Sequence, residues 1–166
     1  MKTLKLSVLI CLLTAISAFS QGPRNKDFGF GIILGDPTGL TAKIWMNNEN
    51  ALALSLGNSY FGSFRITGDY LWHFSSFNTP VVKLYAGPGI AVGVGEGGGW
   101  IYRKGDKYWW VRDDNGLGLG VRGIFGINII PKNTPLEFFG EIGVLVGVVP
   151  GFGATGEGAI GIRFYP

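Results

Sequence analysis

Cysteine and histidine are nearly absent from this chain, which has one residue of each among 166. The cysteine, Cys11, lies in an apolar N-terminal stretch, so the remaining sequence has no thiol for a disulfide or a thiolate metal site. The single histidine has no second ligand at a spacing typical of metal sites. The sequence therefore predicts no cofactor, no bound metal and no catalytic site built on these residue types.

Long apolar runs are also missing after residue 27, where no 18 consecutive residues are apolar. A transmembrane helix needs about 20 apolar residues, so a helical membrane protein is excluded. The composition is nonetheless 46% hydrophobic and 14% aromatic, with 29 glycines. Because glycine in a helix costs roughly 1 kcal/mol relative to alanine, this composition favours β structure.

The N-terminal segment has the three parts of a secretory signal peptide. Two lysines lie in the first five residues, an apolar run covers residues 6–16, and residues 18–20 form a small-x-small cleavage site. We therefore predict a cleaved signal peptide over residues 1–20. A single mature domain would then cover residues 21–166.

Two alternatives for this segment fit less well. A membrane anchor needs a longer apolar run, and a lipoprotein signal would not have the bulky Ile10 before a cysteine inside the run. Removal of the segment takes away two lysines and no acid, which lowers the formal charge from +3 to +1. The sequence pI of about 9.1 therefore gives no support to nucleic-acid binding.

Apolar residues alternate with small or polar residues in eight segments separated by turn residues, which is the pattern of membrane-spanning β-strands. In the fourth segment, for example, Phe64, Ile66 and Trp72 fall on one face, and Arg65 and Asp69 fall on the other. The eight predicted strands are residues 28–34, 40–46, 51–57, 63–74, 82–94, 117–129, 136–148 and 154–164.

All the charged residues of these segments fall on the face that is also rich in glycine. A soluble β-sandwich would turn that face to water, but glycine suits a narrow lumen better than an exposed strand surface. Lys or Arg facing lipid at the bilayer midplane would cost about 2 to 4 kcal/mol. We therefore predict a network of paired charges inside a barrel. The predicted lumen residues are Lys43, Arg65, Asp69, Lys83, Arg122, Glu137, Glu141, Glu157 and Arg163.

The predicted fold is all-β, an eight-stranded antiparallel up-and-down transmembrane β-barrel. With an even number of strands both chain ends lie in the periplasm, so the even-numbered connections should be short. Residues 47–50, 75–80 and 131–135 are short, and the long connection 95–116 falls on the outside. Centring the fourth connection near Phe77 further predicts that Lys83 lies diagonally across from the Asp69 carboxylate.

Five short motifs are spread over nearly the whole mature chain. They are residues 35–43 followed by Trp45 and residues 51–52, residues 69–73, residues 120–122, residues 135–137 with Glu141, and residues 161–165. In this order they resemble a family of small outer-membrane barrels of Gram-negative bacteria, similar in size to the OmpA and OmpX barrels. The resemblance implies the barrel and its location in the outer membrane, and it implies no particular activity.

The connection over residues 95–116 is the candidate functional segment. Two aromatic stretches flank residues 104–107, which predicts a β-hairpin that projects beyond the barrel. Aromatic and basic side chains together could stack on sugars or contact lipopolysaccharide phosphates. Alternatively, the aromatic side chains form an interfacial belt or fold over the barrel mouth. The candidate surface-binding residues are Trp100, Tyr102, Arg103, Lys104, Lys107, Tyr108, Trp109 and Trp110.

A non-enzymatic structural or surface-binding protein is the function that these features favour. The alternatives are an outer-membrane enzyme that acts on lipid and a narrow pore. An enzyme would have to use His73, yet the predicted topology puts this residue at the periplasmic end, with Ser75 and Ser76 in a turn. We expect a monomer in contact with outer-membrane lipid, lipopolysaccharide, the barrel insertion machinery and an external ligand, but not with nucleic acid.

Overall fold

A computed structural model describes residues 26–95, 97–103, 106–112, 116–149 and 152–166, so the predicted signal peptide lies outside the described residues. Within these ranges, no helix has the length and apolar character needed to cross a membrane. The regular structure consists of ten strands: β1 (Phe28–Gly35), β2 (Thr38–Trp45), β3 (Asn50–Ser59), β4 (Gly62–Phe74), β5 (Val82–Val94), β6 (Gly97–Arg103), β7 (Asp106–Arg112), β8 (Leu117–Ile129), β9 (Leu136–Val149) and β10 (Gly153–Phe164).

Eight of these strands form a closed antiparallel barrel in the order β1-β2-β3-β4-β5-β8-β9-β10. The barrel closes where β1 pairs with β10, from Phe30↔Phe164 to Gly35↔Ala159. The predicted eight-stranded up-and-down barrel is therefore confirmed. β5 and β8 begin and end as predicted, and the other six strands extend one or two residues further or shift by as much, because pairing continues beyond the last large apolar side chain.

The side chains have the inside-out distribution that the alternation predicted. Phe30 and Ile142, on the outer face, are 49% and 66% exposed, whereas Tyr85 and Arg65, on the inner face, are fully buried. Successive side chains of a strand point to opposite faces, so a period-two sequence gives the barrel two chemically different surfaces. The outer surface is an apolar wall, and the charged residues of the eight barrel strands lie within.

Glycines on the inner face make room for aromatic rings. A β-carbon at Gly126 would collide with the Tyr85 ring, and one at Gly29 would lie 2.7 Å from the Tyr165 ring. Gly161 leaves space for Phe139 in the same way. These three glycines therefore make the narrow lumen wide enough for aromatic rings.

We call the two ends of the barrel the hairpin end and the terminal end. The hairpin end carries the β1–β2, β3–β4 and β9–β10 connections, and the terminal end carries residues 26 and 166. At the hairpin end Phe61 turns from the β3–β4 connection into the interior, where only 3% of it is exposed. Its side chain lies 3.0 to 3.3 Å from where β-carbons at Gly93, Gly120 and Gly147 would be. Phe61 therefore fills this end of the interior.

β6 and β7 form the predicted hairpin, paired from Gly97↔Arg112 to Arg103↔Asp106. β6 also pairs with β10 at Ala154↔Trp100 and approaches β4. In the eight-stranded ring β4 and β10 stand opposite each other. The β6–β7 hairpin thus lies across the hairpin end of the barrel. This path matches the alternative in which the segment folds over the barrel mouth, and it differs from the prediction that the segment projects beyond the barrel.

Candidate functional site

The charged side chains inside the barrel form two groups. The acidic cluster, nearer the hairpin end, consists of Asp36, Arg65, Asp69, Arg122, Glu141 and Glu157. The basic cluster, at the terminal end, consists of Lys43, Lys83, Glu137 and Arg163. All nine predicted lumen residues belong to one of these two groups, and Asp36 joins them from the β1–β2 connection, where strand alternation predicts no direction.

Arg122 on β8 is the centre of the acidic cluster. Its Nε lies 2.9 Å from Glu157 Oε1 and 3.4 Å from Asp69 Oδ1. Its Nη2 lies 3.3 Å from Glu141 Oε1. One guanidinium on β8 therefore connects carboxylates from β4, β9 and β10, and so joins strands that are not neighbours in the wall.

Arg65 on β4 extends this cluster toward the β1–β2 turn. Its Nη2 lies 2.5 Å from Glu157 Oε2, and its Nη1 lies 3.4 Å from Asp36 Oδ1. Nη1 also donates a hydrogen bond to Ser59 Oγ at 3.0 Å. With four carboxylates and two guanidiniums, the acidic cluster has a formal excess of two negative charges.

Glu137 on β9 is the centre of the basic cluster and is fully buried. Its Oε1 lies 2.9 Å from Lys43 Nζ and 3.2 Å from Arg163 Nη1. Arg163 Nη2 also donates to Thr41 Oγ1 at 3.0 Å, and its guanidinium carbon lies 3.8 Å from the centre of the Phe139 ring. Charge, hydrogen bonding and ring packing thus hold the same guanidinium.

Tyr165 extends the basic cluster beyond the end of β10. Its hydroxyl donates to Glu137 Oε2 and accepts a hydrogen bond from Trp45 Nε1 at 3.1 Å. Burial, together with the Glu137 carboxylate, holds the pKa of the Tyr165 phenol above its ordinary value. The phenol therefore keeps its proton and remains a hydrogen-bond donor to the carboxylate.

His73 is buried inside the terminal end with both ring nitrogens in use. Nε2 lies 2.9 Å from Lys43 Nζ, and Nδ1 lies 3.1 Å from the Glu49 carbonyl oxygen. An ammonium group only donates, so Nε2 must accept from Lys43 and Nδ1 must carry the proton that Glu49 accepts. The ring also packs 4.2 Å from Trp45, between centroids. These contacts describe a structural histidine.

Lys83 does not approach Asp69 as the predicted register required. Its Nζ donates to the Asn48 carbonyl oxygen at 2.6 Å, while Asp69 lies opposite Gly89 and faces Arg122. Because His73 pairs with Tyr85, the β4–β5 connection is centred two residues later than predicted. The predicted Lys83–Asp69 contact is wrong for that reason.

The candidate surface-binding residues lie on the crossing hairpin, except Lys104, which lies outside the described residues. The backbone register sets Trp100 opposite Trp109, Ile101 opposite Tyr108, and Tyr102 opposite Lys107. Arg103 lies opposite Asp106 and Trp110 opposite Gly99, so seven of the eight candidates occupy paired positions of the hairpin.

Comparison with known proteins adds no family to this description. No protein-family model, no curated protein and no solved structure matches the chain. Among the described residues, no group of three or more histidine, cysteine, aspartate and glutamate side chains is arranged to hold a metal ion. The class of protein is therefore defined by the fold itself, a closed eight-stranded β-barrel with an apolar exterior and a packed, ionic interior.

Proposed function

We propose that this protein is a non-enzymatic outer-membrane β-barrel that acts as a structural or surface-binding module. The observation that carries the proposal is the reversed distribution of side chains, with an apolar outer wall and ion pairs inside. Monomeric soluble proteins rarely expose apolar patches beyond a few hundred Å², whereas large apolar residues are exposed on all eight barrel strands. A lipid bilayer is the environment in which such a wall is stable.

The packed interior supports a structural role and not a conducting one. Trp45, Tyr85, Lys43 and Arg65 are all fully buried, and each points into the lumen. An eight-stranded barrel is only wide enough for its own side chains to fill it. Stepwise conductance from protein reconstituted in a planar bilayer, increased by Arg122→Ala, would contradict this part of the proposal.

The orientation follows from the proposed location. Both chain ends would face the periplasm, and the signal peptide would direct the chain across the inner membrane toward the barrel insertion machinery. The β6–β7 hairpin would then lie at the cell surface, next to lipopolysaccharide and external ligands. Its aromatic and basic residues, three tryptophans among them, are the reason to propose that this surface binds a partner.

Membrane fractionation followed by gel electrophoresis tests the location and the fold together. We expect the protein in the outer-membrane fraction, where a folded barrel migrates differently before and after boiling. A full-length protein that is soluble in the periplasm and migrates identically in both samples would contradict the proposal.

A hairpin deletion tests the surface-binding role. We expect that replacing residues 97–112 by a short Asn-Gly turn leaves the heat-dependent migration unchanged but reduces binding to vesicles that contain lipopolysaccharide. A matched variant, Trp109→Ala with Trp110→Ala, keeps the hairpin length and removes two of its aromatic side chains. Unchanged vesicle binding in both variants would show that the hairpin does not bind lipopolysaccharide.

A further inference from the structure

β7 differs from every other strand in the pairing of its edges. Each barrel strand pairs on both sides, and β6 pairs with β7 on one side and with β10 on the other. In the part of the chain that the structure describes, β7 alone has one edge without a partner strand. Unpaired strand edges are templates for pairing with another chain unless charge, proline or a covering segment protects them.

In β7 the charged residues Asp106, Lys107 and Arg112 lie at the two ends, so the centre of the edge has no such protection. Asp106–Arg112 reads DKYWWVR, with four consecutive aromatic or β-branched residues in its centre and no proline. Residues of this type favour strands, and aromatic cross-strand pairs stabilise them. The edge is therefore suited to a second strand.

The charges of β7 are arranged so that the strand complements itself. In an antiparallel pairing of two copies centred on Trp109, Asp106 of each copy lies opposite Arg112 of the other. The same pairing sets Tyr108 opposite Trp110 and uses the full length of both strands. A shift by one residue would set Lys107 opposite Arg112, or would leave both Asp106 residues without a cation opposite.

We propose that two copies of this protein associate through their β7 edges, in a two-fold symmetric antiparallel pairing centred on Trp109. Such an interface is isologous, because each copy contributes the same surface. The inference rests on the proposed surface position of the hairpin and names a second copy of the chain as its partner. It replaces the monomer that the sequence led us to expect.

Disulfide cross-linking of the full mature chain in detergent tests the symmetry. The sequence after residue 20 contains no cysteine, so an introduced cysteine has no competitor. Trp109→Cys would place two copies of the same residue on the two-fold axis, where facing Cα atoms lie about 4.5 to 5.5 Å apart, within the range that a disulfide spans. We expect a dimer on oxidation.

Trp100→Cys is the matched control, because this residue lies opposite Trp109 within one hairpin. Its two copies would be separated by three strand spacings, about 14 Å, which is too far for a disulfide. We expect no cross-link from this variant. Equal cross-linking of both variants, or of neither, would overturn the proposal.

Sedimentation of the protein without added cysteine gives an independent measurement. Arg112 lies opposite Gly97 within its own hairpin, so Arg112→Asp should leave the hairpin paired while setting two carboxylates against each other across the dimer. We expect self-association to weaken about tenfold. A monomeric wild-type protein that still shows heat-dependent migration would overturn the dimer alone, whereas loss of that migration would instead count against the proposed barrel in the membrane.

Discussion

The two ends of the barrel interior carry opposite excess charge. The acidic cluster has four carboxylates and two guanidiniums, and the basic cluster has three cations and the single carboxylate of Glu137. Together they contain five cations and five carboxylates, so the formal charges of the two clusters balance although neither cluster is balanced alone. Lys26, before β1, is a further buried cation, and its Nζ donates to the Thr134 carbonyl oxygen. Buried charges need partners to offset the loss of hydration. In the acidic cluster each cation contacts more than one carboxylate, whereas in the basic cluster Glu137 is the one carboxylate that contacts Lys43 and Arg163.

The difference predicts that one type of substitution will have unequal effects at the two ends. Removing a carboxylate from the acidic cluster leaves other carboxylates for the same cation. Removing the carboxylate of the basic cluster leaves buried cations without an anion in contact. Of the four predictions that follow in order of decreasing effect, three test this contrast, and Gly126→Ala sets a packing effect beside them.

Glu137→Gln should have the largest effect. The amide keeps the shape of the side chain but leaves Lys43 and Arg163 buried without their shared carboxylate, and loss of one partner of a buried pair costs about 3 to 5 kcal/mol. Urea unfolding of the refolded barrel, followed by gel migration, measures the change. A loss below about 1 kcal/mol would show that the two cations find other partners.

Gly126→Ala should have the next largest effect, because a β-carbon there meets the fully buried Tyr85 ring. Overpacking of this kind costs about 1 to 3 kcal/mol. Gly123→Ala on the same strand is the matched control, since its β-carbon faces outward with nothing within 4 Å. Equal urea midpoints for the two variants would mean that the ring moves aside freely.

Asp69→Asn should destabilise the barrel by only about 1 kcal/mol, since Arg122 keeps Glu157 at 2.9 Å and Glu141 at 3.3 Å and its 3.4 Å contact with Asp69 is not a hydrogen bond. The same urea titration applies. If Asp69→Asn costs as much as Glu137→Gln, the reserve of carboxylates in the acidic cluster has no energetic value.

Lys83→Met should have the smallest effect, below about 1 kcal/mol. It removes one cation from the end that has a cationic excess, along with the hydrogen bond to the Asn48 carbonyl. A larger loss in the free energy of unfolding, measured in the same titration, would show that Lys83 stabilises the basic cluster although it adds to the excess of positive charge there.

Alternation in the sequence was sufficient to predict which side chains face inward along the strands, but not in the turns. Asp36 and Phe61 both lie in connections, where the period of two no longer applies and the local backbone decides the direction of a side chain. A signal for Asp36 was nevertheless available. The predicted lumen had five cations and only four carboxylates, and Asp36 is the fifth carboxylate.

The sequence could not predict the β4–β5 register or the path of the β6–β7 hairpin, for a different reason. The geometry of the β4–β5 turn sets how many residues the connection contains and therefore which residues pair. The strand pattern alone could not predict the partner of Lys83 for this reason. The crossing of β6 to β10 depends on the free edge that β10 presents beyond the end of β1. Both are properties of the assembled barrel, not of any segment alone.

Tyr165 has a consequence for how the barrel assembles. Its hydroxyl contacts Trp45, which lies 120 residues earlier in the chain, and its ring lies against Gly29 on the first strand. Contacts between residues so distant in sequence form late and slow the folding of β proteins. The Trp45 indole, which also packs on His73, is therefore placed to report ring closure. In a variant whose other four tryptophans are replaced by phenylalanine, we expect the last part of its fluorescence change to fall in the slowest kinetic phase of folding.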